Sequence, residues 1–287
     1  VGLEAFAKSV HERTGGELSL KIYHSGMLAS GEVDSILQTR WGDIQINRVN
    51  AAPLEGFSRK IGVLALPYLF RSSDHMWNVL NGPIGQELLD SLEPAGFVGI
   101  GWQDSGSRCF YSNRPIEKPE DLRGLRIRIQ DNDITSAMIR TLGAASRNVA
   151  FNEVYIALQH GAIDAAENNI PSYFEKGHYS VAKYFCVNEH NRIPEVIIAN
   201  KPWWDSLTDT QRAALRAAAR DAQLVQRKAW QQKEAAALKK LQELQSQGKV
   251  QIIPADQASF RQALQPVYDK YQARFGDLLK RIEAVPG

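Results

Sequence analysis

A multi-lobed α/β fold is predicted for this 287-residue chain by three features. Strand and helix patterns alternate along most of its length, glycines close successive elements, and one stretch near the C-terminus reads as a helix longer than a single lobe covers.

Leu3, Phe6, Ala7 and Val10 recur at helical spacing, and Gly15-Gly16 ends that helix. Leu18, Leu20 and Ile22 alternate as a half-buried strand. A second helix over 32–41 carries Val33, Ile36, Leu37 and Trp41 on its inner face and stops at Gly42. A short strand over 44–47 follows, then helices at 74–80 and 85–92 and a strand at 97–102. Strands at 108–112, 125–130 and 162–167 are interleaved with helices near 134–142 and 153–160. This order predicts parallel sheets flanked by helices.

Thr208-Asp209-Thr210-Gln211 has the spacing of a capping box, and no Gly or Pro interrupts the Ala-, Leu-, Gln- and Lys-rich run from there to Gln247. At roughly 1.5 Å per residue the run spans nearly 60 Å. Such a helix either bridges two lobes or projects as an arm. Leu238, Leu241 and Leu244 are apolar, but no heptad persists around them.

Composition narrows the classes. Apolar residues make up 44% and charged residues 23%, as in an ordinary globular protein. Lys plus Arg number 34 against 32 Asp plus Glu, a balance that argues against nucleic acid as a partner. No apolar run approaches the roughly 18 residues of a spanning helix. Val1–Phe6 has no signal-peptide pattern, which a mature secreted chain would also lack. Cys109 and Cys186 are too few for a disulfide scaffold or a four-ligand zinc site; one bridge and two buried thiols both fit.

No nucleophile elbow, phosphate-binding Walker loop or HExxH motif occurs. Gly96, Gly99 and Gly101 reverse the dinucleotide-binding order and read better as small residues in a packed strand. His11, His24, His75, His160, His178 and His190 show no metal-ligand spacing. Glu189 and His190 are neighbours, which point apart on a strand. Neither metal nor cofactor is expected, nor is an enzyme. Arginine placement says more. Arg126, Arg128 and Gln130 share one face of their strand, with Arg128 toward its C-terminal end, where ligands collect in open α/β sheets. An arginine there either grips a carboxylate bidentately or serves a structural ion pair. Arg108 at a loop-to-strand junction and Asn168-Asn169 at a strand end are open to the same two readings.

Three blocks carry a family resemblance. Lys118 through Arg128 (KPEDLRGLRIR) is similar to the DLKGLKIR signature of the solute-binding proteins of TRAP transporters, the tripartite ATP-independent periplasmic systems, in the DctP-like family. Phe151–Gln159 with Gly161–Asn168, and Ala65–Phe70, match in order. The family chain usually begins with a β-strand ahead of the first helix, whereas this sequence starts at or just before that helix, so contacts from that strand are expected to lie outside it.

The resemblance implies a two-lobed periplasmic binding protein with two mixed sheets flanked by helices and the long helix bridging both lobes. Lobe I would comprise residues 1–105 and 194–233, and lobe II 106–193 and 234–287, with the ligand cleft between them. The family's carboxylate-binding arginine falls on Arg128, with Arg108, Asn168 and Phe151 completing the site. An organic acid would be captured in the periplasm by a monomer and delivered to the membrane-embedded permease. The 167–190 region resembles the branch that binds glucuronate and galacturonate, with Asn47, Gln130, Asn169 and Glu189 placed to read hydroxyls. Arg48 would favour hydroxyls or a second negative group, which keeps C4-dicarboxylates as the alternative. An enzyme on the same plan and an interaction module built on the long helix are the competing classes.

Overall fold

The computed structural model describes residues 1–24 and 26–287. Its strands are β1 (Ile46–Asn50), β2 (Phe97–Gln103), β3 (Arg108–Ser112), β4 (Arg126–Ile129), β5 (Ala145–Asn148), β6 (Ala165–Asn168), β7 (Tyr184–Asn191), β8 (Glu195–Asn200) and β9 (Gln251–Pro254). They form two sheets, ordered β1-β8-β2 and β5-β4-β6-β3-β7-β9. The smaller sheet is antiparallel throughout, unlike the parallel arrangement expected from alternation alone. The larger is mixed: β4 runs parallel to β5 and β6, whereas β3 is antiparallel to β6 and β7.

Contacts divide the chain into two compact units, one of Val1–Ile61, Val79–Ser105 and Pro194–Gln232, the other of Gly62–Asn78, Gly106–Ile193 and Lys233–Gly287. Residues 62–78, expected with lobe I, cluster with the second unit because hydrogen bonds tie them there. Tyr68 donates its hydroxyl to the Asn188 carbonyl at 2.9 Å, and Asn191 Nδ2 donates to the Ala65 carbonyl at 2.9 Å.

The first unit is organised by apolar spacing. Phe6 and Val10, one helical turn apart in Gly2–Arg13, pack with Val98, Ile100, Ile197 and Ala199 of the small sheet. Leu18 and Leu20 lean on the same core, but no ladder forms over 18–22, so the expected strand is absent. The helix Glu32–Trp41 ends at Gly42, whose φ of +94° is left-handed and suits glycine. Its inner stripe is Ile36 and Thr39, and Trp41, expected to be buried, is 69% exposed. Five residues beyond Ile36 is about 140° off that stripe at 3.6 residues per turn.

The long helix runs Asp209–Ser246, 38 residues or about 57 Å. Its capping box is reciprocal: Gln211 N–H donates to Thr208 Oγ1 at 3.2 Å, and Thr208 N–H donates to Gln211 Oε1 at 3.0 Å. Leu215, Ala218, Ala219 and Ala222 enter the first unit's core, and Leu241 enters the second's beside Tyr111, Val154, Tyr173 and Phe185. The helix is thus shared by both units and is no projecting arm. Among the described residues no helix is long and apolar enough to cross a membrane.

Cys109 and Cys186 are free and buried, which settles the open choice against a bridge. Burial pushes both thiols up, Cys186 to about 12, so neither ionises near neutral pH.

Candidate functional site

Strand alternation places Arg126 and Arg128 on one face of β4, and the structure gives them different work. Arg126 is committed to Asp164, with Nε 2.9 Å from Oδ2 and NH2 2.7 Å from Oδ1. That contact lowers the Asp164 carboxyl below its ordinary range. Arg128, two residues on, is buried, and its Nε donates to the Val149 carbonyl at 2.9 Å, which fixes the direction of its guanidinium. The guanidinium carbon lies 5.9 Å from the centroid of the Phe151 ring, within cation–π range. Lys176 Nζ sits 5.5 Å from the same centroid.

Behind Phe151 lies His178, its ring 6.1 Å away and nearly perpendicular. Tyr111 Oη is 2.9 Å from His178 Nδ1, and the two rings stack. Burial, reinforced by the charges of Arg128 and Lys176, lowers His178 to about 4, so the imidazole is neutral at physiological pH.

A second polar assembly occupies the neighbouring strands. Antiparallel pairing sets Cys109 of β3 opposite Asn168 of β6, which brings Arg108 against Glu167. Arg108 Nε bonds Glu167 Oε2, NH2 bonds Oε1 at 2.8 Å, and NH2 also donates to the Glu167 carbonyl at 3.0 Å. Arg108 NH1 reaches Asn168 Oδ1 at 3.4 Å, and that oxygen accepts the Asn169 N–H at 2.8 Å. Asn169 in turn caps the helix Ile170–Glu175 by accepting from Ser172 N–H at 2.9 Å. Burial alone would raise the Glu167 carboxyl, but the Arg108 charge and the bonds from His190 and Arg108 hold it at about 2. His190, wholly buried and stacked on Phe110, places Nε2 3.6 Å from Glu167 Oε2 and is itself lowered by burial. The neighbours Glu189 and His190 do turn apart. Glu189, at a φ of +45°, accepts from Ser107 Oγ at 3.0 Å.

Gln130 lies half-buried just beyond β4, next to the turn that precedes the helix Asp133–Thr141. In the first unit, Asn47 Nδ2 donates to Thr39 Oγ1 at 3.1 Å. Arg48 Nε donates to Gln103 Oε1 at 2.7 Å, and its NH1 lies 3.5 Å from Glu195 Oε2. The second unit therefore gathers Arg128 with Phe151, and Arg108 with Asn168 and Asn169, through adjacent strands. Sequence reasoning missed Glu167 and Tyr111 as partners and passed over His178 as a core histidine. Their pairing depends on strand register and on a contact 67 residues apart, for which no local signal exists.

A buried arginine near a β-strand end with an aromatic ring beside it, on a two-unit α/β chain with a shared helix, is the arrangement expected of a solute-binding protein. Residues 1–274 match the family described as bacterial extracellular solute-binding protein, family 7 (DctP), and the chain belongs to that family. These are binding proteins, not enzymes. A solute-binding protein of Chromohalobacter salexigens is 37% identical over 270 residues, 94% of this chain and 79% of that one. Among solved structures, a TRAP periplasmic solute-binding protein of Bradyrhizobium in complex with α/β-D-galacturonate is 38% identical. It has a TM-score of 0.93, over 98% of this chain and 93% of that one. Another from Chromohalobacter salexigens with bound D-glucuronate is 35% identical with a TM-score of 0.93, over 99% and 95%.

Proposed function

We propose that this chain captures D-glucuronate or D-galacturonate by its carboxylate, as a periplasmic monomer, and delivers it to a TRAP permease. The observation that carries the reading is Arg128, buried near the end of β4 with its Nε pinned to the Val149 carbonyl and Phe151 beside it. A guanidinium so fixed presents a planar fork matched to a carboxylate. His178 stays neutral next to it, so burial of the Arg128 charge is not aggravated by an imidazolium. Arg108, whose Nε and NH2 are taken by Glu167, contributes by holding Asn168 through NH1, and Asn169, Gln130 and Glu189 are the candidate hydroxyl-reading side chains of this unit. The uronates bound by the structures at 35–38% identity support the choice of acid.

Calorimetric titration with both uronates tests the reading. The unmodified chain is expected to bind at least one of them. Arg128→Lys and Arg128→Ala are expected to weaken binding about 30-fold or more, because stripping one side from a buried charge pair costs about 2–5 kcal/mol. Equal affinity in the Arg128 variants would overturn the assignment.

A further inference from the structure

Backbone strain in this protein is concentrated at one contact. Tyr68 and Glu189, at φ of +57° and +45°, are the two residues other than glycine with a left-handed φ among the described residues. Both belong to the second unit. The Tyr68 N–H donates to the His190 carbonyl at 2.8 Å, and its hydroxyl donates to the Asn188 carbonyl at 2.9 Å. One tyrosine thus grips the residues on both sides of Glu189. Its ring is held in turn by Arg261, whose guanidinium carbon lies 4.3 Å from the ring centroid.

Glu189 sits in a bulge of β7. Pairing with β3 steps from Arg108 opposite Asn191 to Phe110 opposite Cys186, an advance of two residues on one strand and five on the other. Asn188 Nδ2 and Asn191 Oδ1 are buried in this stretch without a hydrogen-bond partner in the chain. Left-handed backbone, a broken ladder and orphaned amide atoms each cost stability. Their coincidence marks a segment shaped for something other than stability.

Sheet topology places that segment. β4 and β6 run parallel, β3 is antiparallel to β6, and β7 is antiparallel to β3. Arg128 and Asn168, near the ends of β4 and β6, therefore stand at the end of the sheet where Arg108 opens β3 and the bulge closes β7. The Glu189 side chain is 40% exposed and accepts from Ser107 Oγ at 3.0 Å, while Arg192 NH2 is 3.4 Å away.

We infer that Tyr68 is a positioning residue for solute binding: it holds Glu189 in the left-handed backbone that presents this carboxylate at the sheet end shared with Arg128 and Asn168. An ionised carboxylate only accepts hydrogen bonds and has about four lone-pair sites, which suits the hydroxyls of a sugar ring. The inference rests on the uronate reading and adds what shapes its hydroxyl-reading group. Extended backbone at Glu189 would be the more stable choice, so the conformation is kept at a cost.

The test measures melting temperature, and affinity for D-galacturonate and D-glucuronate by calorimetry. The proteins are the unmodified chain, Tyr68→Phe, Glu189→Ala, Glu189→Gly and the double variant Tyr68→Phe/Glu189→Ala. Both Glu189 variants are expected to weaken binding about tenfold or more, the weight of a hydrogen bond to a charged group. Glu189→Gly should melt above Glu189→Ala, because glycine accepts the left-handed backbone without strain. Tyr68→Phe removes the bond to Asn188 and is expected to weaken binding about fivefold in the unmodified chain but not in Glu189→Ala. A tyrosine with a merely structural role would lower the melting temperature alone, or weaken binding equally in both backgrounds. Either result overturns the inference, as does unchanged affinity in Glu189→Ala, while uronate binding by the unmodified chain stands. If Tyr68→Phe does not fold, by its melting curve, the Glu189 variants decide, and equal melting of the two or unchanged affinity overturns the inference. Failure of the unmodified chain to bind either uronate removes both the uronate reading and this inference.

Discussion

Arg108 and Glu167 meet as a bidentate pair with both side chains almost wholly out of water. A buried pair of this kind adds little net stability, because both ions lose their hydration. Breaking it from one side is another matter, since an unmatched charge then stays buried. Glu167→Gln and Arg108→Met are each expected to destabilise the protein by about 3–5 kcal/mol. The double variant should cost clearly less than the sum, because the two residues share one interaction. Urea unfolding of the three variants checks this, and additive losses would contradict the coupling.

Acid stability follows from the same residues with a definite sign. Glu167 is held at about 2 against an ordinary 4.5, so its stabilisation is complete above pH 4.5 and is lost as pH falls from there toward 2. His178 is lowered to about 4 from 6.5, and His190 is lowered as well. The unfolded chain takes up these imidazole protons first, so stability declines as pH falls from 6.5 toward 4. Melting temperature measured against pH should therefore drop in two stretches. His178→Gln should flatten the upper one and leave the fall below pH 4 in place.

Some of this architecture is written locally and some is not. The long helix was legible to within one residue at each end, because a capping box and an absence of breakers are signals carried by neighbouring positions. The position of Arg128 on a strand was legible from alternation, and the role proposed for it came from the family motif. Alternation could not tell Arg128 from Arg126, because they differ only in what the fold brings to them. Asp164, 38 residues away, takes Arg126. The strand expected over 18–22 had the right alternation, but a strand also needs a hydrogen-bonded neighbour, which pattern cannot supply. The attachment of 62–78 to the second unit rests on bonds such as Tyr68 to Asn188, 120 positions apart. Glu167 stood in plain view beside Asn168, yet only the β3–β6 register shows that it holds Arg108.

The glycine series in β2 reads as packing, and the structure ranks its members. A Cβ on Gly99 would lie 2.7 Å from the Leu89 side chain and 2.9 Å from the Leu89 Cα, where the helix Pro83–Asp90 crosses the sheet. A Cβ on Gly101 would meet only the Ala219 methyl, at 3.1 Å. Gly99→Ala must push a helix away and is expected to cost about 1–3 kcal/mol, the range of core overpacking. Gly101→Ala should cost less. Thermal melts of the two variants check the order, and the reverse ranking would show that the helix yields more readily than the packing suggests.

The C-terminal helix Gln265–Glu283 ends with carbonyls that no intrahelical N–H reaches, and side chains from 71–78 supply the missing donors. Arg71 NH1 donates to the Glu283 carbonyl at 2.9 Å and NH2 to the Val285 carbonyl at 2.7 Å. The Arg71 N–H lies 3.1 Å from His75 Nδ1, which makes that nitrogen the acceptor. The proton therefore sits on Nε2, which donates to the Ile282 carbonyl at 3.0 Å. One guanidinium spans two carbonyls because its donors form a rigid fork, and a lysine ammonium on a flexible stem does not reproduce that span. Arg71→Ala is expected to lower stability by about 1–2 kcal/mol, from two lost hydrogen bonds of ordinary strength. Arg71→Lys should recover only part of it. Hydrogen exchange localises the effect: amides of the last helical turn should exchange faster in both variants, while those in β3 and β6 keep their protection. Faster exchange across the whole second unit would mean instead that Arg71 supports the core and not the helix end alone.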